Sequence, residues 1–267
     1  MVVGARNLTM KNGIVWGTSL VLAMLPAWSQ DQTESGTFQD LATALASPET
    51  VKILEIKEGD PDIDRIGELR KCVSLEKLVL HHCGLREFPD LSNLPWLTHL
   101  DVSFNEFDQV PETITNLSGL KSFAMFENQL ERLPKSIGKM KSLKHLFLGK
   151  NPNLDIEDAI NKLKPLQKLE NLGFGGIAMT SLPEAIGELN GLTLLWIANT
   201  GLRSLPDSLS KLKNLETLVL SGCKFDRLPN VVERLSQLKT IVLTDNPMND
   251  DEIDRIEALL PDLKITR

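Results

Sequence analysis

The feature that most constrains this chain is an internal repeat: one block of about 23 residues recurs nine times from Val51 onward. Residues 120–142 read LKSFAMFENQLERLPKSIGKMKS, residues 192–214 LTLLWIANTGLRSLPDSLSKLKN, and residues 215–237 LETLVLSGCKFDRLPNVVERLSQ. Each places apolar residues at positions 1, 4, 6 and 11, a small or amide residue at 9, Leu-Pro at 14 and 15, and apolar residues again at 18 and 21. The frames open at Val51, Leu75, Leu97, Leu120, Leu143, Leu169, Leu192, Leu215 and Leu238, spaced 24, 22, 23, 23, 26, 23, 23 and 23 residues apart. A block this short cannot bury an apolar side alone, so the copies must stack and cover one another. Positions 4 and 6 alternate as a strand does and point into the stack, while 3, 5 and 7 point away from it.

Position 9 holds Asn105, Asn128, Asn151 and Asn246, whose amides can bond backbone groups of neighbouring turns. Cys83, Thr200 and Cys223 take that slot elsewhere, and Ile177 breaks it. The Leu-Pro step suits an extended or turn segment, because proline restricts itself and its predecessor. Short helical or 3₁₀ turns are therefore expected opposite the strands. The pattern resembles the leucine-rich repeat family, in the Leu-Pro subtype common in bacterial proteins and in intracellular plant and Ras-pathway scaffolds, and it covers residues 51 to 267. The resemblance implies an α/β fold: a horseshoe solenoid with a parallel concave sheet, a convex side of short helical or 3₁₀ segments, and helical caps at both ends.

The expected division is a signal segment at 1–29, a flexible lead at 30–36, an N-terminal cap helix at 37–50, repeats over 51–248 and a C-terminal cap at 249–267. Thr37 to Asp40 reads as a capping-box start, with Phe38, Leu41 and Leu45 on one face and Ser47-Pro48 as the stop. At the other end Asp250, Asp251 and Glu252 suit a first helical turn, Ile253, Ile256 and Leu260 share a face, and Pro261 ends it.

The opening segment has a basic start at Lys11, an uncharged apolar run over 13–28, and the small residues Ala27 and Ser29 at −3 and −1 of a cut. Met10 makes a more conventional start than Met1 for such a signal. Its 16 apolar residues are short for a span of roughly 20, so no stable membrane span is expected after cleavage. No cysteine follows the run, which argues against a lipid-anchored protein. Arg6 and Lys11 are its only charges, so cleavage takes the net charge from −7 to −9. That balance argues against nucleic-acid binding, which needs a basic footprint. The three cysteines are too few for a disulfide framework and are read as small core residues.

Several motifs carry chemistry elsewhere and are set aside here. Gly173-Phe-Gly-Gly-Ile-Ala178 matches a dinucleotide fingerprint but lies within one repeat, not between a strand and a long helix. Asp60, Asp62 and Asp64 imitate a calcium loop, with Arg65 and Lys71 where it needs Gly and Glu. The lysines Lys135, Lys139, Lys141 and Lys144 read as a solvated face, with a weak anionic contact as the alternative. His99 and His145 share position 3 two repeats apart, about 10 Å, too far to hold one metal. No catalytic constellation, metal site or cofactor is expected.

The resemblance implies that a partner is taken on the concave face, whose position-5 column contains Asp101, Ala124, Phe147, Gly173 and Trp196. Position 7 adds Phe126, Gly149 and Gly175. Large outward aromatics mark contact sites. The expectation is a shallow notch floored by Gly173 and Gly175 and rimmed by Phe126, Phe147 and Trp196, with Asp101, His99 and His145 nearby. The alternative is that the rings lean over and cover the irregular fifth repeat. The chain is accordingly read as a monomeric, non-catalytic module exported from a bacterial cell to the periplasm or medium, binding a protein. The other reading is an intracellular signalling scaffold of the Ras-associated type.

Overall fold

A computed structural model of the chain describes residues 35–267; the signal segment and most of the flexible lead lie outside the described residues. Each of the nine frames supplies one short strand, and the two flanking segments add one each. In order these are β1 (Thr37–Phe38), β2 (Ile53–Ile56), β3 (Lys77–Leu80), β4 (His99–Asp101), β5 (Ser122–Ala124), β6 (His145–Phe147), β7 (Asn171–Gly173), β8 (Leu194–Trp196), β9 (Thr217–Val219), β10 (Thr240–Val242) and β11 (Lys264–Thr266). They form one parallel sheet in strict chain order, as stacked coils require. Register is repeat on repeat: Lys77 pairs with His99, His99 with Ser122, and Ser122 with His145.

Positions 4 and 6 fill the core as expected, from Leu54 and Ile56 through Phe123 and Met125 to Ile241 and Leu243. The Leu-Pro steps lead into convex 3₁₀ segments such as Glu112–Asn116, Glu184–Glu188 and Asp207–Lys211. The 26-residue repeat instead carries an α-helix, α2 (Ile156–Leu163), capped by the Asp155 carboxylate accepting from the Asp158 N–H at 3.0 Å. Its three extra residues are what lengthen a 3₁₀ turn into two helical turns.

The amide ladder satisfies the buried turns. Asn128 accepts from the Phe107 N–H at 3.0 Å and donates to the carbonyls of Val102 at 3.1 Å and Phe126 at 3.3 Å. Asn105, Asn151 and Asn246 repeat the arrangement. Just before it, position 8 turns through the left-handed region in every repeat from His82 to Asp245, with glycine there only at Gly176 and Gly222.

The caps differ from expectation in detail. The first helix, α1, spans Leu41–Ala46 and starts at Asp40, whose carboxylate accepts from the Thr43 N–H. Thr37 does not cap it: Thr37 and Phe38 pair with Ile53 and Leu54 and cover the sheet edge, while Gly36 accepts from the N–H groups of Lys52 and Ile53. The lead is thus tied down at its last residue. At the far end α3 (Asp250–Leu259) is capped by Asn249 and buries Ile253 and Ile256 as expected, but the chain then returns to add β11 against β10. Both additions occupy backbone groups that a bare edge strand would leave unpaired.

Candidate partner-binding surface

The outward positions of β2 to β10 form a face opposite the core. Nine apolar residues are buried there yet belong to no part of the core cluster, among them Phe126, Phe147, Leu194, Trp196, Val219 and Val242. The structure brings five of the sequence-selected residues together and corrects their geometry. There is no open notch. Phe147 and Trp196 lie over Gly173, where an added Cβ would meet Phe147 Cδ1 at 2.6 Å and Trp196 Cε3 at 2.9 Å. The indole also covers Gly175, and Phe126 stacks on it with centroids 5.7 Å apart and planes at 19°. Phe126, Phe147 and Trp196 are 7%, 4% and 3% exposed, so the leaning arrangement is the one present. The physical reason is area: a ring laid on a bare glycine backbone removes apolar surface from water that an upright ring would leave wet.

Beside this strip runs the polar row of position 3. His99, Ser122 and His145 follow one another across β4, β5 and β6. The Thr98 hydroxyl lies 2.8 Å from His99 Nδ1. Burial, then the positive field of Lys77 and its neighbours, holds the His99 imidazole down at about 4. Burial also lowers His145, with Glu170 opposing and Lys144 adding to the effect. Both rings are therefore neutral at physiological pH. Asp101, 1% exposed, accepts from the Ser103 N–H at 2.9 Å, and its other oxygen sits 2.8 Å from His81 Nε2. That contact is close enough for an ion pair when His81 is protonated but out of line for a hydrogen bond, and His81 Nε2 has no hydrogen-bond partner.

Two neighbouring groups share this condition: Ser122 Oγ and His145 Nδ1 are buried without a hydrogen-bond partner. Elsewhere among the described residues only Thr37 Oγ1 and Ser208 Oγ are in that state. Sequence reasoning passed over Phe104, which stacks on His82 at 4.6 Å and meets His81 and Phe126 edge-on, although its φ of 61° is costly for a bulky residue. The signal was present, since position 8 elsewhere holds polar residues or glycine.

The other motifs have structural roles. Asp60 accepts from the N–H groups of Leu41 and Asp62, joining α1 to the first repeat. Gly173 to Ala178 passes from β7 into a turn at Gly176 with no helix behind it. Cys72 and Cys223 are buried, while Cys83 is half-buried rather than fully so, its thiol pushed up to about 11 by burial. Among the described residues no group of three or more His, Cys, Asp or Glu is placed to hold a metal, and no helix is long and apolar enough to cross a membrane.

Residues 154–264 match the family model for a leucine-rich repeat region, and residues 96–117 the model for a single leucine-rich repeat. No curated protein matches the chain. Among solved structures, a leucine-rich-repeat protein of Leptospira interrogans is 28% identical, with a TM-score of 0.65 over 86% of this chain and 58% of its own. The chain thus spans little more than half that protein's length. An internalin of Listeria monocytogenes is 22% identical, with a TM-score of 0.60 over 85% of this chain and 70% of its own, a likeness of fold. The ectodomain of the Arabidopsis thaliana receptor kinase GASSHO1/SCHENGEN3, solved with Casparian Strip Integrity Factor 2, is 27% identical, with a TM-score of 0.56 over 79% of this chain and 26% of its own.

Proposed function

This chain is a leucine-rich-repeat protein, and on that premise we propose that it is a non-catalytic binding module, exported from a bacterial cell, that takes a protein partner on the concave face of its sheet. The carrying observation is the two unpaired buried atoms there, Ser122 Oγ and His145 Nδ1. Buried polar atoms are nearly always hydrogen-bonded, and leaving one unmade costs about 1–3 kcal/mol. A polypeptide laid across β3 to β6 supplies both N–H and C=O groups to them. The His145 imidazole, its pKa lowered by burial, accepts or donates without bringing charge into the face, and the strip from Phe126 to Trp196 offers a flat apolar floor. Partner contact through Asp101, His99, His145 and the ring cluster follows from this placement.

A leucine-rich-repeat ectodomain 27% identical, solved in complex with Casparian Strip Integrity Factor 2, supports the mode of use. The basic start, apolar run and small residues of the first 29 positions support export.

Photo-crosslinking from Asn171 on the concave face, against Ser204 off it, tests the surface. Adducts from the first position alone are expected, and adducts from the second alone would move the site elsewhere. Intact mass and cell fraction test export. A species beginning at Gln30 in the envelope or medium is expected, whereas a full-length cytosolic species would replace this reading with the intracellular scaffold.

A further inference from the structure

The surface has a second feature, away from the concave face. Among the described residues the exposed large hydrophobics are Val73, Trp96 and Leu259, and the first two are neighbours. Lys77 pairs with His99, so stepping back along both chains sets Val73 beside Pro95 and Ser74 beside Trp96. Asn93 Nδ2 donates to the Arg70 carbonyl at 3.2 Å and ties the two segments together. Trp96 is 67% exposed, and Gly119 occupies its place in the next repeat, with only Pro95 O and Leu97 O within 4 Å of where a Cβ would stand. The indole therefore projects from the edge at which segments lead into strands, with no pocket wall beside it.

The same edge gathers bases, in a chain whose net charge is −7. Arg70, Lys121, Lys139, Lys168, Lys211 and Lys213 are exposed there, and none has an ion-pair partner among the described residues. Of the carboxylates on this edge Glu170 pairs with Lys144, Glu188 with Lys164 and Glu216 with Lys239, each within 2.8 Å, while Glu76 is exposed with no ion pair among the described residues. All stand within five residues before or one after the residue that opens a frame, in the stretch leading into a strand, so the bases and the indole line that edge over about 30 Å.

Five of the six bases are lysines. Their hydrated point charges on flexible stems suit a diffuse anionic surface rather than the fixed bidentate contact that the planar fork of arginine makes with a single carboxylate or phosphate. An indole with one apolar and one polar end suits the level of lipid headgroups. We propose that this strand-leading edge docks on an anionic lipid bilayer, with Trp96 entering the headgroup region and the six bases facing lipid phosphates. Docking there leaves the concave face open to its partner.

The test uses the protein in the form its host accumulates, sedimented with vesicles of phosphatidylglycerol in phosphatidylcholine and with phosphatidylcholine alone. Each base near an anionic surface contributes about fivefold, so Lys121→Gln, Lys168→Gln and Lys213→Gln together lower phosphatidylglycerol-dependent binding about a hundredfold and flatten its salt dependence. Brominated phosphatidylglycerol quenches part of the indole emission in the wild type, and Trp96→Ala removes that part. Unchanged melting temperatures show that these exposed substitutions leave the fold intact. Any contact made by residues 13–28 is common to wild type and variants, so the differences report the edge alone. Equal binding by wild type and variants, with equal quenching, overturns the proposal. Retention on polyglutamate with no preference for phosphatidylglycerol also overturns it, and assigns the edge to an acidic protein.

Discussion

Replacing Asn128 with alanine isolates the energetic role of the amide ladder. Asn128 is 1% exposed and makes three backbone hydrogen bonds. Their loss is unequal in consequence. The Val102 carbonyl keeps the Asn105 amide at 3.1 Å, and the Phe126 carbonyl keeps the Phe104 N–H at 2.8 Å. The Phe107 N–H loses its acceptor inside a dry core, and that one orphan sets the cost at about 2 kcal/mol. Asn246 supplies the control. It makes the matching set, to the Phe225 N–H at 3.1 Å and the carbonyls of Leu220 at 2.8 Å and Thr244 at 3.4 Å, with the Leu243 carbonyl at 3.0 Å in addition, but it is only half-buried. Water can replace its amide, so Asn246→Ala should cost about 0.5–1 kcal/mol. Urea unfolding of both variants with unchanged m-values measures the difference. If Asn246→Ala cost as much as Asn128→Ala, orphaning by burial would not be the origin of the ladder's stability.

The ring cluster and the polar row give two further expectations. Gly173→Ala pushes a methyl into Phe147 and Trp196 and should cost about 1–3 kcal/mol by overpacking, with a shift in tryptophan emission; an unperturbed melting curve would show that the rings stand clear of the glycine. His99 stays neutral in the folded chain down to about 4, while the unfolded chain takes up its proton near 6.5. The folded value is the lower one, so stability is full above 6.5 and declines as pH falls through that window, by about 2–3 kcal/mol. His99→Gln should flatten the urea midpoint against pH over the same window, and a wild-type midpoint that rises toward pH 4 would reverse the sign.

The sheet and its register were legible because they rest on a period written nine times, and the amide ladder because Asn recurs at position 9 in four of those repeats. The edge strands were not legible. Thr37–Phe38 and Lys264–Thr266 are too short to show alternation, and they exist because the first and last coils leave backbone groups that need partners. Thr37 followed by Asp40 imitates a helix start, yet the Asp40 carboxylate reaches the Thr43 N–H directly and wins the cap. In the site, the columns of outward residues could be counted from the frame, but a column says only which side chains leave the core. Whether a ring then stands up or lies down depends on what its neighbours leave empty. Trp96 was not legible as a surface feature because it precedes its strand, in a place where other frames hold Thr, Ser, Gly, Lys, Asn or Gln.

The emptiness beside the rings is itself encoded. Along position 5 the chain runs Ala124, Phe147, Gly173, Trp196, so large and small alternate, and along position 7 Phe126 is followed by the small residues Gly149, Gly175 and Ala198. A Cβ on Gly149 would meet Phe126 Cε2 at 2.8 Å, and one on Gly175 would meet Trp196 Cε2 at 2.7 Å. None of Gly149, Gly173 and Gly175 adopts a positive φ, so backbone freedom is not why glycine is there. They serve by lacking a side chain, which lets each ring settle on the next strand as in a packed interior. A partner reaching this face therefore meets a floor that is already set, with little side-chain freedom left to lose on binding. It follows that Trp196→Ala cannot separate recognition from stability, since the ring serves both. Substitution of Ser122 or His145, whose unpaired atoms contribute nothing to the fold, should weaken partner binding without lowering the urea midpoint.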